Sequence, residues 1–103
     1  PHRFYRKPLR YADPKFRERV ADFIENVAPR VAEAFHKHPA LIAYYSFDEP
    51  DCALAWLKAS GKTMPQFVAE LYDAIHSRDP YRPMMALFSM RLPASDEWWR
   101  GFD

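Results

Sequence analysis

Two short apolar runs, residues 40–47 (ALIAYYSF) and 84–90 (MMALFSM), constrain the fold of this chain more than any other feature of its sequence. Each run is too short for a typical helix and is nearly continuous rather than alternating, which is typical of buried parallel strands. Parallel neighbours need a long crossover connection, and residues 48–83 provide the length for one. The runs therefore predict two parallel strands, apolar on both faces.

A helical stripe precedes each run. Asp13-Pro14 is a favourable helix start, and the apolar residues that follow recur at helical spacing: Phe16, Val20, Phe23, Ile24, Val27, Val31 and Phe35. Pro29 removes one backbone hydrogen bond, which predicts a kink or two abutting helices. The second stripe follows a predicted N-cap at Thr63 and comprises Met64, Phe67, Val68, Leu71, Tyr72 and Ile75.

Two weaker helix signals complete the pattern. A short helix is predicted to end at Ser60-Gly61, and the tail is compatible with another over Asp96 to Arg100. The order helix, strand, helix, strand predicts an α/β fold with a right-handed crossover between the strands.

Composition excludes several classes of protein. With 17% aromatic residues and a net charge of +1, the chain is neither a disordered polyelectrolyte nor globally attracted to nucleic acid or anionic membrane. No apolar run approaches the roughly 20 residues of a membrane-spanning helix. The single cysteine, Cys52, excludes an internal disulfide framework, and His36 and His38 do not share a helix face. We therefore expect no metal, no cofactor, no nucleic-acid partner and no membrane partner.

An acidic cluster follows the first predicted strand, where Asp48 and Glu49 precede Pro50. Active sites of parallel α/β folds gather at the C-terminal ends of the strands. Adjacent side chains face different ways, so one carboxyl group can enter a site while the other supports it. Apolar neighbours raise the pKa of such a group and suit it to general acid catalysis. The alternative is that Asp48 and Glu49 are simply polar residues of a surface turn.

Two passages resemble a known family. Residues 38–50 (HPALIAYYSFDEP) resemble the fourth-strand motif of retaining (β/α)₈ glycoside hydrolases of the β-galactosidase/cellulase-like superfamily, and residues 79–85 (DPYRPMM) resemble the passage into their fifth strand. The resemblance covers roughly residues 14–90. It implies a partial (β/α)₈ TIM barrel, with residues 1–103 as a fragment of a single catalytic-type domain around strands 4 and 5.

The resemblance also implies roles for individual residues. Glu49 would be the general acid/base, and Asp48 stands where many of these enzymes have an Asn that binds a substrate hydroxyl. Trp98 and Trp99 would lie in the loop after the fifth strand and contact the sugar, although aromatic residues packing a helix are the alternative. A retaining glycosidase needs a second carboxyl group about 5–5.5 Å away. In this family it follows the seventh strand, so we expect the nucleophile outside this chain.

Several expectations follow for partners. The substrate is expected to be a carbohydrate, and the rest of the barrel or other chains would be needed to cover the sheet edges. This chain alone is expected to be inactive. Family analogy implies a periplasmic or secreted protein, but the sequence leaves its compartment open.

Two alternatives remain. Because Asp48 replaces Asn, the chain could belong to a non-catalytic carbohydrate-binding or scaffold barrel. A small nucleic-acid-binding module would instead use the basic residues between positions 3 and 19: Arg3, Arg6, Lys7, Arg10, Lys15, Arg17 and Arg19.

Overall fold

The computed structural model describes residues 15–48, 59–87 and 96–103. Within these ranges the elements are α1 (Phe16–Asp22), a π-helical turn (Phe23–Val27), α2 (Ala28–Phe35), β1 (Tyr44–Asp48), α3 (Met64–His76), β2 (Met84–Leu87) and a 3₁₀ helix (Asp96–Gly101). The described residues form a small mixed helix and strand domain, which confirms the predicted α/β character and element order.

The two strands pair in parallel, as predicted, and β1 begins later than the first apolar run. Pairing begins with Tyr44 opposite Met84. Pro83 precedes β2 and has no N–H to donate to the ladder, while the carbonyl of Leu41 accepts a hydrogen bond from Arg82 instead of from a strand. Residues 41–43 therefore lie outside β1, and residues 88–90 lie outside the described part of the chain.

A β-bulge interrupts the ladder near the end of β1. Tyr45 pairs with Met85 and Phe47 pairs with the next residue of β2, so Ser46 is the extra residue. The Ser46 hydroxyl donates a 3.1 Å hydrogen bond to the carbonyl of Met85. The bulge moves the register by one residue, so that Asp48 pairs with Leu87.

Pro29 shapes the first helical region through a π-helical turn. Because Pro29 has no N–H, the carbonyl of Glu25 loses its usual partner four residues on. The N–H of Ala28 donates to the carbonyl of Phe23, five residues back. In place of the predicted kink or pair of abutting helices, the chain forms one wider, π-helical turn before Pro29. Helical structure then continues from Phe16 to Phe35.

The buried face of this helical region differs from the predicted stripe. Its core residues recur every four positions and include two alanines: Phe16, Val20, Ile24, Ala28 and Ala32. The other half of the predicted stripe is exposed, with Phe23 at 43% and Phe35 at 51%. Small alanines let the helix approach its neighbours closely, and the π turn shifts the phase of the residues that follow it.

The predicted start of α3 is confirmed. Thr63 and Gln66 form a capping box, in which the Gln66 N–H donates to the Thr63 hydroxyl and the Thr63 N–H donates to the Gln66 side chain. Gly61, which follows the helical residue Ser60, has a φ of +72° that glycine adopts readily. The buried face of α3 is Met64, Phe67, Val68, Leu71 and Ile75.

The helices pack on one face of the sheet. Met84 is 1% exposed in the core that both helical regions share, and Tyr44 packs against the same core. On the opposite face Tyr45, Met85 and Leu87 are 51–57% exposed. The strands were predicted to be buried on both faces, and this was wrong for the described residues, because no described element covers the second face.

The 3₁₀ helix fits closely against α3, at the position where the sequence is compatible with a short helix. A Cβ atom on Gly101 would lie 2.7 Å from Val68 Cγ2 and 2.8 Å from the Val68 carbonyl carbon. After this contact, the N–H of Asp103 donates to the carbonyl of Met84, and the N–H of Met84 donates to Asp103 Oδ2. Residues 96–103 are here called the C-terminal segment, and its last residue, Asp103, thus lies on the outer edge of β2.

Substituting Gly101→Ala should destabilise the chain by about 1–3 kcal/mol, because the added methyl group meets backbone as well as side-chain atoms of Val68. Denaturant unfolding monitored by circular dichroism measures the change. Arg100→Ala, at an exposed position of the same 3₁₀ helix, is the control and should change the free energy of unfolding by less than about 0.5 kcal/mol. Equal effects of the two substitutions would contradict the close fit.

Candidate functional site

The C-terminal end of β1 is the candidate site. Asp48 is the last residue of this strand and pairs with Leu87 of β2. The predicted acid/base residue Glu49 follows directly and lies outside the described residues, as do Cys52 and Trp56. Bulges are frequent next to active sites, where they redirect a side chain, and the bulge at Ser46 lies two residues before Asp48. The backbone thus carries a site-like feature at the predicted position.

The predicted sugar-contacting tryptophans lie in the 3₁₀ helix rather than in an irregular loop. Trp99 is 46% exposed. A groove of about 310 Å³ separates this helix from the start of α3 and is lined by Thr63, Pro65, Gln66, Ala69, Glu97 and Arg100. Because α3 begins at the end of the sheet where β1 finishes, this groove is near that end. The structure describes the place of Trp98 in the helix and the exposure of Trp99, and the side chains of Trp98 and Asp48 are not among those it describes.

A buried polar network lies at the opposite end of the strands. Asp79 is completely buried, and its carboxylate accepts hydrogen bonds from the Tyr44 hydroxyl at 2.8 Å and from Arg82 Nη1 at 3.0 Å. The N–H of Tyr81 donates to its other oxygen at 3.3 Å. Both carboxylate oxygens are therefore hydrogen-bonded by protein groups.

Arg82 connects this network to the first helical region through hydrogen bonds to backbone carbonyls. Its Nε donates to the carbonyl of Leu41 at 2.8 Å, and its Nη2 donates to the carbonyl of His38 at 3.2 Å. Its Nη1 also donates to the carbonyl of His36, next to the end of α2. One guanidinium group thus satisfies carbonyls that the end of a helix leaves without partners and holds the entry to β1.

The electrostatics of the network match a structural role. Burial alone raises the pKa of Asp79, but hydrogen bonds from Tyr44, Tyr81 and Arg82 and the charge of Arg82 outweigh burial and lower it. Burial, together with the hydrogen bond and charge of Asp79, raises the pKa of Tyr44 to about 12. The carboxylate is ionised and the phenol neutral over the whole physiological range, so neither group is poised to exchange a proton.

Sequence reasoning treated residues 79–85 as part of a family motif and missed this network. The signal was the Asp-Pro-x-Arg-Pro spacing, in which an acid and a base stand three residues apart and each is followed by a proline. An ion pair at this spacing is local, but its Tyr44 and carbonyl partners come from a distant part of the chain. No sequence pattern identifies those partners.

The described residues contain no group of three or more His, Cys, Asp or Glu side chains that could hold a metal ion. In the same ranges, no helix has both the length and the apolar character needed to cross a membrane. Of the basic residues between positions 3 and 19, Lys15, Arg17 and Arg19 are described and exposed, and the other four lie outside the described ranges.

Comparisons with models of known protein families, with curated protein sequences and with solved structures give no match.

Replacing Asp79→Asn should cost about 3 kcal/mol of stability, because it leaves the Arg82 charge beside a neutral group in a buried site. Denaturant unfolding measures this cost. The double variant Lys62→Ala, Glu70→Ala removes a more exposed ion pair and should cost less than about 1 kcal/mol.

The same variant tests the linkage to pH. The pKa of Asp79 is lowered in the fold, so its contribution is present above the unfolded value of about 3.9 and is lost as pH falls through the lower folded value. Wild-type protein should therefore lose stability more steeply below about pH 4 than Asp79→Asn does. Parallel acid profiles would contradict an ionised, stabilising Asp79.

Proposed function

We propose that this chain is part of a (β/α)₈ glycoside hydrolase-like domain in which Glu49 is the general acid/base. The observation that carries the proposal is the end of β1: a parallel strand with a bulge at Ser46 finishes at Asp48, immediately before Glu49. This is the strand end at which parallel α/β enzymes place catalytic side chains. The likeness of residues 38–50 to the fourth-strand motif supplies the reaction class.

The one-sided packing of the helices supports a barrel over a doubly wound sheet. The helical region before β1 and the helix after it both bury residues in one shared core. Doubly wound sheets place helices on both faces, whereas a (β/α)₈ barrel places all of them outside. In a barrel, the exposed Tyr45, Met85 and Leu87 would fill the interior.

The exposed stripe of the first helical region supports a larger assembly. Phe23, Val27, Val31 and Phe35 recur every four residues and are 40–51% exposed. A shallow groove of about 150 Å³ lies beside this stripe, and its lining includes Phe23, Val31 and Tyr45. An apolar surface that continues from a helix onto a strand is what a preceding βα unit of a barrel would cover.

The proposed chemistry assigns a separate role to each residue. Glu49 donates a proton to the glycosidic oxygen as the bond breaks and then accepts one from the attacking water. Asp48 accepts a hydrogen bond from a sugar hydroxyl, a role in which a carboxylate oxygen replaces an amide oxygen. Trp99 offers an exposed ring to the sugar. The nucleophilic carboxylate comes from outside the 103 residues.

In the protein encoded by the full reading frame, Glu49→Gln should lower turnover of alkyl glycosides by about 10²–10⁴-fold, because the leaving oxygen then lacks a proton donor. Aryl glycosides with acidic leaving groups need little protonation and should lose much less in the glycosylation step. Steady-state kinetics on both substrate classes measures the difference. Asp51→Asn, a neighbouring acid, is the control and should retain activity. Equal losses on both substrate classes would contradict the acid role.

A non-catalytic carbohydrate-binding barrel is the second candidate, favoured by Asp48 in the place of Asn. The same protein would then bind glycans and turn over neither class of glycoside. Calorimetric titration with oligosaccharides beside the kinetic assay separates the two candidates.

Two neighbouring methionines test the barrel itself. Met85→Ser should change the stability of the 103-residue chain by less than about 0.5 kcal/mol, because Met85 is exposed there. In the full-length protein it should cost about 2–4 kcal/mol, because a barrel buries this face. Met84→Ser, at a buried position, should be costly in both. A small effect of Met85→Ser in both proteins would rule out the barrel.

A further inference from the structure

His76, near the end of α3, has a carbonyl oxygen beside each of its ring nitrogens. Nδ1 lies 3.0 Å from the carbonyl oxygen of Tyr72, and Nε2 lies 2.9 Å from that of Arg82. Nε2 is also 3.6 Å from Asp103 Oδ2. The side chain is 14% exposed, so water has limited access to the ring.

This geometry discriminates between the two protonation states of the ring. A neutral imidazole has one N–H donor and one lone pair, whereas the imidazolium ion has two donors. Carbonyl oxygens only accept, so the neutral ring would leave a lone pair facing a carbonyl oxygen at one of the two nitrogens. The imidazolium donates to both and also attracts the Asp103 carboxylate.

Asp103 connects His76 to the edge of β2. Its Oδ2 accepts the N–H of Met84 at 2.9 Å, and its Oδ1 accepts the Tyr72 hydroxyl at 2.9 Å. Its own N–H donates to the Met84 carbonyl at 3.2 Å. The hydrogen bond from Met84 contributes most to lowering the pKa of Asp103, with the Tyr72 hydroxyl and the His76 charge adding to it against the effect of burial.

We propose that His76 is a proton-dependent latch that holds the C-terminal segment on the outer edge of β2. In the protonated state His76 bridges α3, the turn before β2 and Asp103. When the proton leaves, the attraction to Asp103 and one of the two carbonyl hydrogen bonds are lost. The two hydrogen bonds between Asp103 and Met84 then weaken. The N–H and C=O of Met84 become available to pair with another strand.

Among the titratable and charged groups around the His76 ring, Asp103 is the one whose charge interacts with it. On α3 the titratable neighbour is Tyr72, whose ring centre is 3.9 Å from that of His76 and whose pKa is raised, chiefly by its hydrogen bond to Asp103. In the turn before β2, the charges of Asp79 and Arg82 compensate each other at 3.0 Å. The latch therefore responds to the protonation of His76. It does not depend on the function proposed for Glu49.

Nuclear magnetic resonance of the wild-type chain tests the latch directly. In a pH titration, the amide signals of Met84 and Asp103 should shift with the same midpoint as the His76 ring protons. Protection of the Met84 amide from hydrogen exchange, corrected for the intrinsic rate, should fall about tenfold, as expected for the loss of one charge-assisted hydrogen bond. A His76 titration that leaves both amides and their protection unchanged would overturn the proposal.

Two variants separate the latch from general packing. His76→Gln has no charge to lose, so protection of the Met84 amide should no longer depend on pH. His38→Gln removes an exposed histidine and should retain the wild-type pH response. An unchanged pH response in His76→Gln would also overturn the proposal. If His76→Gln does not fold, the wild-type titration and the His38→Gln control decide the question.

Discussion

The buried ion pair between Asp79 and Arg82 is the interaction on which the arrangement of the described elements depends. Arg82 holds carbonyls at the end of α2 and at the entry to β1, while Asp79 holds the hydroxyl of Tyr44 in β1. Both residues come from the turn that leads into β2. A single turn thus sets the distance between the first helical region and both strands. Removing either partner would leave a charge without compensation in a buried site, so the two residues stabilise the fold only as a pair.

Among the described residues, two polar clusters lie at the end of the sheet where the strands begin. The Asp79 network and the cluster around His76 and Asp103 both lie there, next to Met84 at the start of β2. The opposite end, where β1 finishes at Asp48, carries the bulge. This division is typical of parallel α/β folds, in which one end of the strands stabilises the fold and the other carries the chemistry.

Sequence reasoning predicted local features well where one physical cause dominates. The Thr63 N-cap follows from the chemistry of one or two residues. The effect of Pro29 was predicted only in part, because a π-helical turn takes the place of the expected kink or pair of abutting helices. Sequence reasoning was wrong about which side of the first helical region is buried, because the two alanines in the core are less apolar than the valines and phenylalanines that remain exposed. The partners of Arg82 lie more than 40 residues away in sequence, and no local pattern reveals them. For the candidate site, the place of Asp48 at a strand end was predictable, whereas the bulge before it was not.

By itself, the sequence determined the order of helices and strands, their parallel pairing and the strand end at which a carboxyl pair follows. These properties depend on periodicity, proline and capping residues, which act over a few positions. Only the tertiary structure decided that the helices share one face of the sheet, that Asp79 is buried and paired, and that both ring nitrogens of His76 face carbonyl oxygens. Burial and hydrogen-bond partners depend on which distant segments pack together. The free energy of that packing comes from contacts throughout the core, so no single segment of the sequence reveals it.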